Sequence, residues 1–357
     1  MTIQFIRAWL ERLPLSKPYK IAYKEITDTE IVFLEIGLDN GVIGLGAANP
    51  FEEVVGESPQ QTLTNLQQAD WQPWMGRNIE TYEALIEEAW RLFPHQPGTV
   101  AAIDIALHDA WAQTRGVPLV DLLGRKHDAL PTSVTIGIKG VTETLAEAAE
   151  YTAMGFRALK VKTGLDPQED AERMIRLHEV YGKSMQLRVD ANQGYSFSQL
   201  QSFLQMTAQV PLEVIEQPLP AGKENELLAL AEADRRGLCA DESLLDEAAA
   251  IRLSKPPLPF GIFNIKLMKC GGIRSARQMA ACAAPAGIQL FWGCNDESMA
   301  SITAALHVAY SCANTRFLDL DGSFDLSRDF VEAGFMLRDG MMYLSDRPGL
   351  GLKRLGQ

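Results

Sequence analysis

From residue 133 to residue 320 the chain alternates short apolar runs with amphipathic stretches, and this alternation limits its fold more than any other feature. The runs at 133–138, 158–163, 186–190, 212–216, 238–241, 262–267, 289–292 and 317–320 read as strands. The intervening stretches, such as 144–154, 168–181, 198–207, 224–235 and 275–284, read as helices. A β-α repeat of this kind predicts a parallel sheet, and eight units close into a barrel more naturally than they extend an open sheet. Before residue 133 the grammar differs. Strand patterns at 3–13 and 30–38, with a turn at Asp39-Asn40-Gly41, predict an antiparallel meander, and helices are expected at 59–68, 79–92 and 98–115. Gly41, Gly44 and Gly46 have neither the spacing nor the following helix of a dinucleotide-binding turn. Segments 19–27 and 49–56 read as loops. After Gly322, a turn at Arg338-Asp339-Gly340 predicts a hairpin that leads back to the first region. The expected division is 1–125 as an α+β capping domain, 126–321 as a (β/α) barrel and 322–357 as a C-terminal segment returning to the cap.

Charge narrows the partners. The 357 residues include 33 Lys and Arg against 46 Asp and Glu, a balance of −13 that repels nucleic-acid phosphates and anionic lipid. Cys239, Cys270, Cys282, Cys294 and Cys312 are odd in number and scattered, without the spacing of a disulfide framework or zinc site. No signal segment or bilayer-length apolar stretch is present, so a cytoplasmic protein with no membrane or nucleic-acid partner is expected.

Lys160 and Lys162 lie two apart in the run 158–163, so they share a strand face that Leu159 and Val161 do not. Solvated surface lysines would give this pattern. So would a proton-transfer lysine whose cationic neighbour lowers its pKa. Three successive strands then end in Asp190, Glu216 and Asp241, on the face where a barrel of this kind carries its active site. Any one of these acids could be a helix cap or an ion-pair partner, but three converging carboxylates call for a cation, and hard oxygen ligands suit Mg²⁺. The sixth strand brings Lys266 from the side opposite Lys162.

Together these residues resemble the enolase superfamily, muconate-lactonizing subgroup, and the resemblance spans the whole chain. It implies an α/β fold, a modified TIM (β/α) barrel with an α+β capping domain. It further implies that Asp190, Glu216 and Asp241 hold Mg²⁺ and that Lys162 and Lys266 form the acid/base pair. Lys160 would support the substrate carboxylate and depress its neighbour's pKa. A proton next to a carboxylate is a very weak acid, so the enediolate left by its removal needs electrostatic stabilisation. Two opposed lysines then suit removal on one face and return on the other, inverting the carbon.

Asp319 and Asp321 form an acidic pair at the eighth strand, a pattern resembling the dipeptide epimerases, where such a pair holds the substrate ammonium. Thr135 matches a position that contacts the substrate backbone in those enzymes. Lys24 aligns near a cationic residue that meets glutamate in Ala-Glu substrates, whereas Glu52, Glu53 and Asp296 favour a basic side chain. The expectation is an isomerase acting on dipeptides with cationic side chains, with L-Ala-D/L-Glu epimerase specificity as the alternative. An N-acylamino acid racemase, o-succinylbenzoate synthase or muconate cycloisomerase would share the lysines and carboxylates, but their substrates have no free ammonium for Asp319 and Asp321. A non-catalytic metal-dependent binding barrel would not need a competent residue at every catalytic position. The outer helix faces of such a barrel are compatible with a homo-oligomer.

Overall fold

The computed structural model describes residues 1–21 and 24–355, with backbone alone for 17–21 and 24–26. Three antiparallel strands, β1 (Ile3–Ile21), β2 (Lys24–Leu38) and β3 (Ile43–Ala48), open the chain. β1 and β2 remain paired as far as Ile21 opposite Lys24, so most of segment 19–27 is strand rather than the expected loop. Its β-branched and aromatic residues suit a ladder, and the register shifts between Pro14 and Tyr19, where Pro14 and Pro18 lack the N–H a ladder needs. Segment 49–56, also expected as a loop, contains a short helix, Glu52–Val55. Helices α1 (Pro59–Gln68), α2 (Tyr82–Leu92) and α3 (Pro97–Arg115) complete this region. A Cβ on Gly44 would stand 2.1 Å from the Ala106 carbonyl oxygen, and one on Gly46 1.9 Å from that of Ala102. These glycines therefore let β3 lie directly against α3.

Eight parallel strands follow: β4 (Ser133–Ile136), β5 (Ala158–Lys162), β6 (Gln186–Asp190), β7 (Leu212–Glu216), β8 (Leu238–Ala240), β9 (Ile262–Ile265), β10 (Gln289–Trp292) and β11 (Thr315–Leu318). They pair in chain order, and a bridge between Thr132 and Leu318 joins the last to the first. Period-two alternation sorts their residues. Leu159, Val161, Leu187, Val189, Ile215 and Leu290 pack outward in the main core, while Val214, Cys239, Ile262, Phe291 and Phe317 form a separate cluster. The barrel helices include α4 (Val141–Ala153), α5 (Pro167–Tyr181), α6 (Phe197–Met206), α7 (Glu247–Leu253), α8 (Ile273–Ala283) and α9 (Met299–Ser311).

Two elements differ from expectation. Segment 224–235 is a 3₁₀ turn, Glu224–Ala229, followed by a four-residue helix, Glu232–Arg235. The buried positions of the turn, Glu224 and Leu227, are three apart, which is the 3₁₀ repeat. The eighth strand ends at Leu318, earlier than expected. Beyond it the Leu320 N–H bonds to the Thr132 hydroxyl at 2.9 Å instead of continuing the ladder.

Asp104 on α3 fastens the first region to the barrel. Its carboxylate accepts the N–H groups of Ile273 at 2.8 Å and Arg274 at 3.1 Å, at the start of α8. The chain end returns as well: Leu350 N–H donates to Asp109 on α3 at 2.8 Å, and Arg354 pairs with Glu35. Among the described residues no helix is long and apolar enough to cross a membrane. Replacing Asp104 with alanine leaves two helix-start N–H groups unsatisfied, so Asp104→Ala should lower stability by about 1–3 kcal/mol, read as a lower denaturant midpoint.

Candidate active site

The inward residues at the C-terminal ends of the barrel strands converge. Asp190 at the end of β6 is in register with Glu216 at the end of β7, and Asp241 follows β8. All three are buried. Each of the flanking lysines is drawn to one of them. Lys162 Nζ donates to Asp190 Oδ2 at 2.7 Å, and Lys266 Nζ donates to Asp241 Oδ2 at 2.8 Å. Lys160 pairs with Asp319 and stands 3.7 Å from Glu216 and 3.8 Å from Asp190. Among the described residues no three His, Cys, Asp or Glu side chains are gathered tightly enough to hold a metal ion as they stand. The reason is visible in the pairing: the ammonium groups take carboxylate oxygens. Glu216 Oε2 is different, for it is buried without a hydrogen-bond partner.

This crowding sets the ionisation. Burial raises the Glu216 pKa, and repulsion from Asp190 adds to it, so it lies well above the usual carboxylate value. Asp190 and Asp241 are also penalised by burial, but Lys162 and Lys160 hold Asp190 below the usual value, and Lys266 and Lys269 do the same for Asp241. Burial works against charge on Lys160 and Lys266 too. The carboxylates outweigh it, Asp319 and Glu216 at Lys160 and Asp241 and Glu216 at Lys266, so both lysines lie above their ordinary pKa.

A cavity of about 720 Å³ opens above the carboxylates. Lys160, Lys162, Lys266, Asp241, Thr135, Asp296, Asp319 and Asp321 all line it. Asp319 is engaged from below, accepting from Ser133 Oγ at 2.6 Å as well as from Lys160. Asp321 accepts the Thr135 N–H at 2.8 Å and the Cys294 thiol at 3.9 Å, and among the described residues no cation is paired with it. Of the acidic pair, Asp321 is thus the group left for a cation. The Asp296 carbonyl is held by Asn49 Nδ2 at 2.6 Å and Thr29 Oγ1 at 3.2 Å, and Asn295 Nδ2 donates to Asn49 O at 2.9 Å. Asn295 and Asp296 therefore sit where the first region meets the barrel.

Glu52 and Glu53 do not reach the cavity. Both are exposed, and the wall there consists of Phe51, Val54 and Val55, which helical spacing places on one face. Lys24 opens β2, but its side chain lies outside the described residues. Sequence reasoning missed Lys269, which pairs with Asp241 and donates to its main-chain oxygen at 2.8 Å. It also missed Ser133, Asn192 and Glu242. Lys269 follows Lys266 by three positions within a run where polar residues are rare, a signal that was available.

Comparison with known proteins places this geometry. Residues 143–354 match the enolase C-terminal domain-like family, and residues 6–124 match the mandelate racemase / muconate lactonizing enzyme N-terminal domain. The chain is 50% identical over 353 residues to the L-Lys-D/L-Arg epimerase of Methylococcus capsulatus, covering 99% of both. It is 30% identical over 343 residues to the L-Ala-D/L-Glu epimerase of Bacillus subtilis, covering 95% of this chain and 93% of that one. A crystal structure of a dipeptide epimerase from Methylococcus capsulatus, complexed with Mg and the dipeptide L-Arg-D-Lys, matches at a TM-score of 0.96 and 50% identity, covering 99% of each chain.

Burial and the nearby Asp319 push the Asp321 carboxyl up to about 7 from 3.8. A folded-state pKa raised in this way gives stability that is complete below the unfolded value and lost as pH rises through about 7. In protein treated with chelator, Asp321→Asn should therefore flatten the fall in melting temperature between about pH 5 and pH 8, by a few degrees across the range. Calorimetric melts of both proteins at several pH values would read it, and an unchanged slope would contradict the assigned burial.

Proposed function

This chain belongs to the enolase superfamily, in its mandelate racemase / muconate lactonizing enzyme group, and from that membership we propose that it is a Mg²⁺-dependent dipeptide epimerase for substrates with cationic side chains. The observation that carries the reading is the pair of lysines, Lys162 at the end of β5 and Lys266 just beyond β9, that enter one cavity from well-separated strands and flank three buried carboxylates. Asp190, Glu216 and Asp241 would hold the metal. The donor set fits it, being all hard oxygen and including the orphaned Glu216 Oε2. Bound there, Mg²⁺ supplies Lewis-acid stabilisation of the negative charge that develops on the substrate carboxylate.

The chain's own residues do the rest. One lysine, neutral, removes the α-proton of the C-terminal residue to leave an enediolate. The other, charged, returns a proton from the opposite face and inverts the carbon. Lys160 supports the substrate carboxylate from beside Asp190 and Glu216. The substrate ammonium goes to the side of the cavity bearing Asp319 and Asp321, where Asp321 lacks a cationic partner among the described residues. Thr135 lines the same wall and contacts the peptide. Asp296 favours a basic side chain from the neighbouring loop after β10, a preference in keeping with the L-Lys-D/L-Arg epimerase relative. All five cysteines are free thiols, in keeping with a cytoplasmic location.

Incubating pooled L,L-dipeptides with the protein and Mg²⁺ in D₂O should add deuterium to those containing Lys or Arg, read by mass spectrometry, and chelator should stop it. Exchange confined to Ala-Glu dipeptides would move the specificity, and exchange confined to N-acylamino acids would overturn the dipeptide reading. Lys162→Ala and Lys266→Ala should each cut epimerisation by about 10²–10⁴-fold. Asp296→Asn should lower kcat/KM for cationic dipeptides about tenfold relative to neutral ones.

A further inference from the structure

We propose that Asn192 is a positioning residue for Lys162, and that it serves one hand of the α-carbon and not the other. The inference rests on the two-lysine reading above. Asn192 Oδ1 accepts from Lys162 Nζ at 2.8 Å, and Asn192 Nδ2 donates to Glu242 Oε1 at 3.3 Å. This second bond fixes which end of the amide faces the lysine. Turned over, the amide would set its NH₂ against an ammonium and its oxygen against a carboxylate.

The backbone holds the amide in place. Asn192 and Gln193 follow β6 with φ of 41° and 69°, in the left-handed region. The Asn192 N–H donates to Asp190 Oδ1 at 2.9 Å and the Gln193 N–H to Gln217 O at 2.8 Å. The turn is packed against the loop after β5 with no room to slide: a Cβ on Gly164 would stand 2.3 Å from Ala191 O, and one on Gly194 2.2 Å from Gly164 O. The separation between Lys162 and Asn192 is thus set by main chain on main chain.

The two lysines are not equally supported. Lys266 Nζ donates to Asp241 Oδ2, and among the described residues it has no neutral acceptor. Lys162 has both Asp190 and the Asn192 amide. Asp190 is a proposed metal ligand, which leaves Asn192 as the acceptor whose only task is to aim Nζ. A neutral oxygen does this without adding charge to a site already crowded with carboxylates, and a small error of aim at a proton-transfer group is costly.

The test is Asn192→Gly, since glycine tolerates the φ of 41° and keeps the N–H bonded to Asp190. Epimerisation should fall in both directions alike, because the two directions are tied by an equilibrium constant. Solvent exchange of the α-proton is not so tied. Measured in D₂O on each epimer separately, it should fall about ten- to a hundredfold for the same hand whose exchange Lys162→Ala abolishes. The other hand should stay within about twofold of the parent. Mg²⁺ affinity by calorimetry and the melting temperature should stay near those of the parent, as expected if the turn is intact. Parallel loss in both hands, loss in the hand dependent on Lys266, or no loss would overturn the inference while leaving the epimerase reading standing. A parent protein that exchanges no dipeptide would overturn both.

Discussion

The buried ammonium of Lys160 is the interaction on which the rest of the site depends. It lies among Asp319, Glu216 and Asp190, three carboxyl groups that could not share a dry barrel end without it. The same accounting applies to its surroundings. Among the described residues around it, Asp190, Glu216, Asp241, Glu242, Asp319 and Asp321 crowd against Lys160, Lys162, Lys266 and Lys269, while Arg188 pairs with Glu213. Arg188 closes the floor, stacked over Phe291 and Phe317 at 5.5 and 5.1 Å, and donates to Leu318 O at 2.7 Å. The excess acid shows itself in the raised pKa values of Glu216, Glu242 and Asp321, each pushed up first by burial and then by a neighbouring carboxylate. A site with this surplus is completed by cations from outside the chain.

The barrel makes such crowding tolerable because its two faces have separate duties. On β5, Leu159 and Val161 pack in the core while Lys160 and Lys162 point inward, and β6 repeats this with Leu187 and Val189 against Arg188 and Asp190. The hydrogen-bond ladder and the apolar packing that fix a strand are thus independent of the charged residue at its end. Dispersion and burial on the outer face offset the cost of desolvating the inner one. A lysine that must give up a proton is then held by a rigid element rather than a loop.

Much of this was legible from the chain. Lys160, Lys162, Asp190, Glu216, Asp241 and Lys266 could be found because strand parity and strand ends are local properties, written in the alternation of apolar and polar residues. What could not be read depends on distant partners. Lys160 had to be seen beside Asp319, 159 residues away, before its pKa could be assigned a direction. Asn192 acquires meaning from a left-handed turn and from Glu242 on another strand end. Glu52 and Glu53 were assigned to the pocket because they lie in its loop, yet one turn of helix sends them outward and Val54 and Val55 inward. The eighth strand ends early because a hydroxyl from before the first strand, Thr132, takes the Leu320 N–H.

In the proposed reading, specificity is set at the seam between cap and barrel, apart from the lysines and carboxylates. Asn49 reaches across with its side-chain NH₂ on the Asp296 carbonyl and its own carbonyl on Asn295, and Thr29 adds a second donor to Asp296. These bonds hold main chain, so the Asp296 side chain is presented to the cavity by a loop whose backbone is anchored from both regions. Changing the residue at that position alters what the cavity attracts while the ladder beneath, with its lysines and carboxylates, is left as it was. In the proposed reading the side-chain preference can thus change without touching the chemistry, and in this chain the seam carries an acid, Asp296.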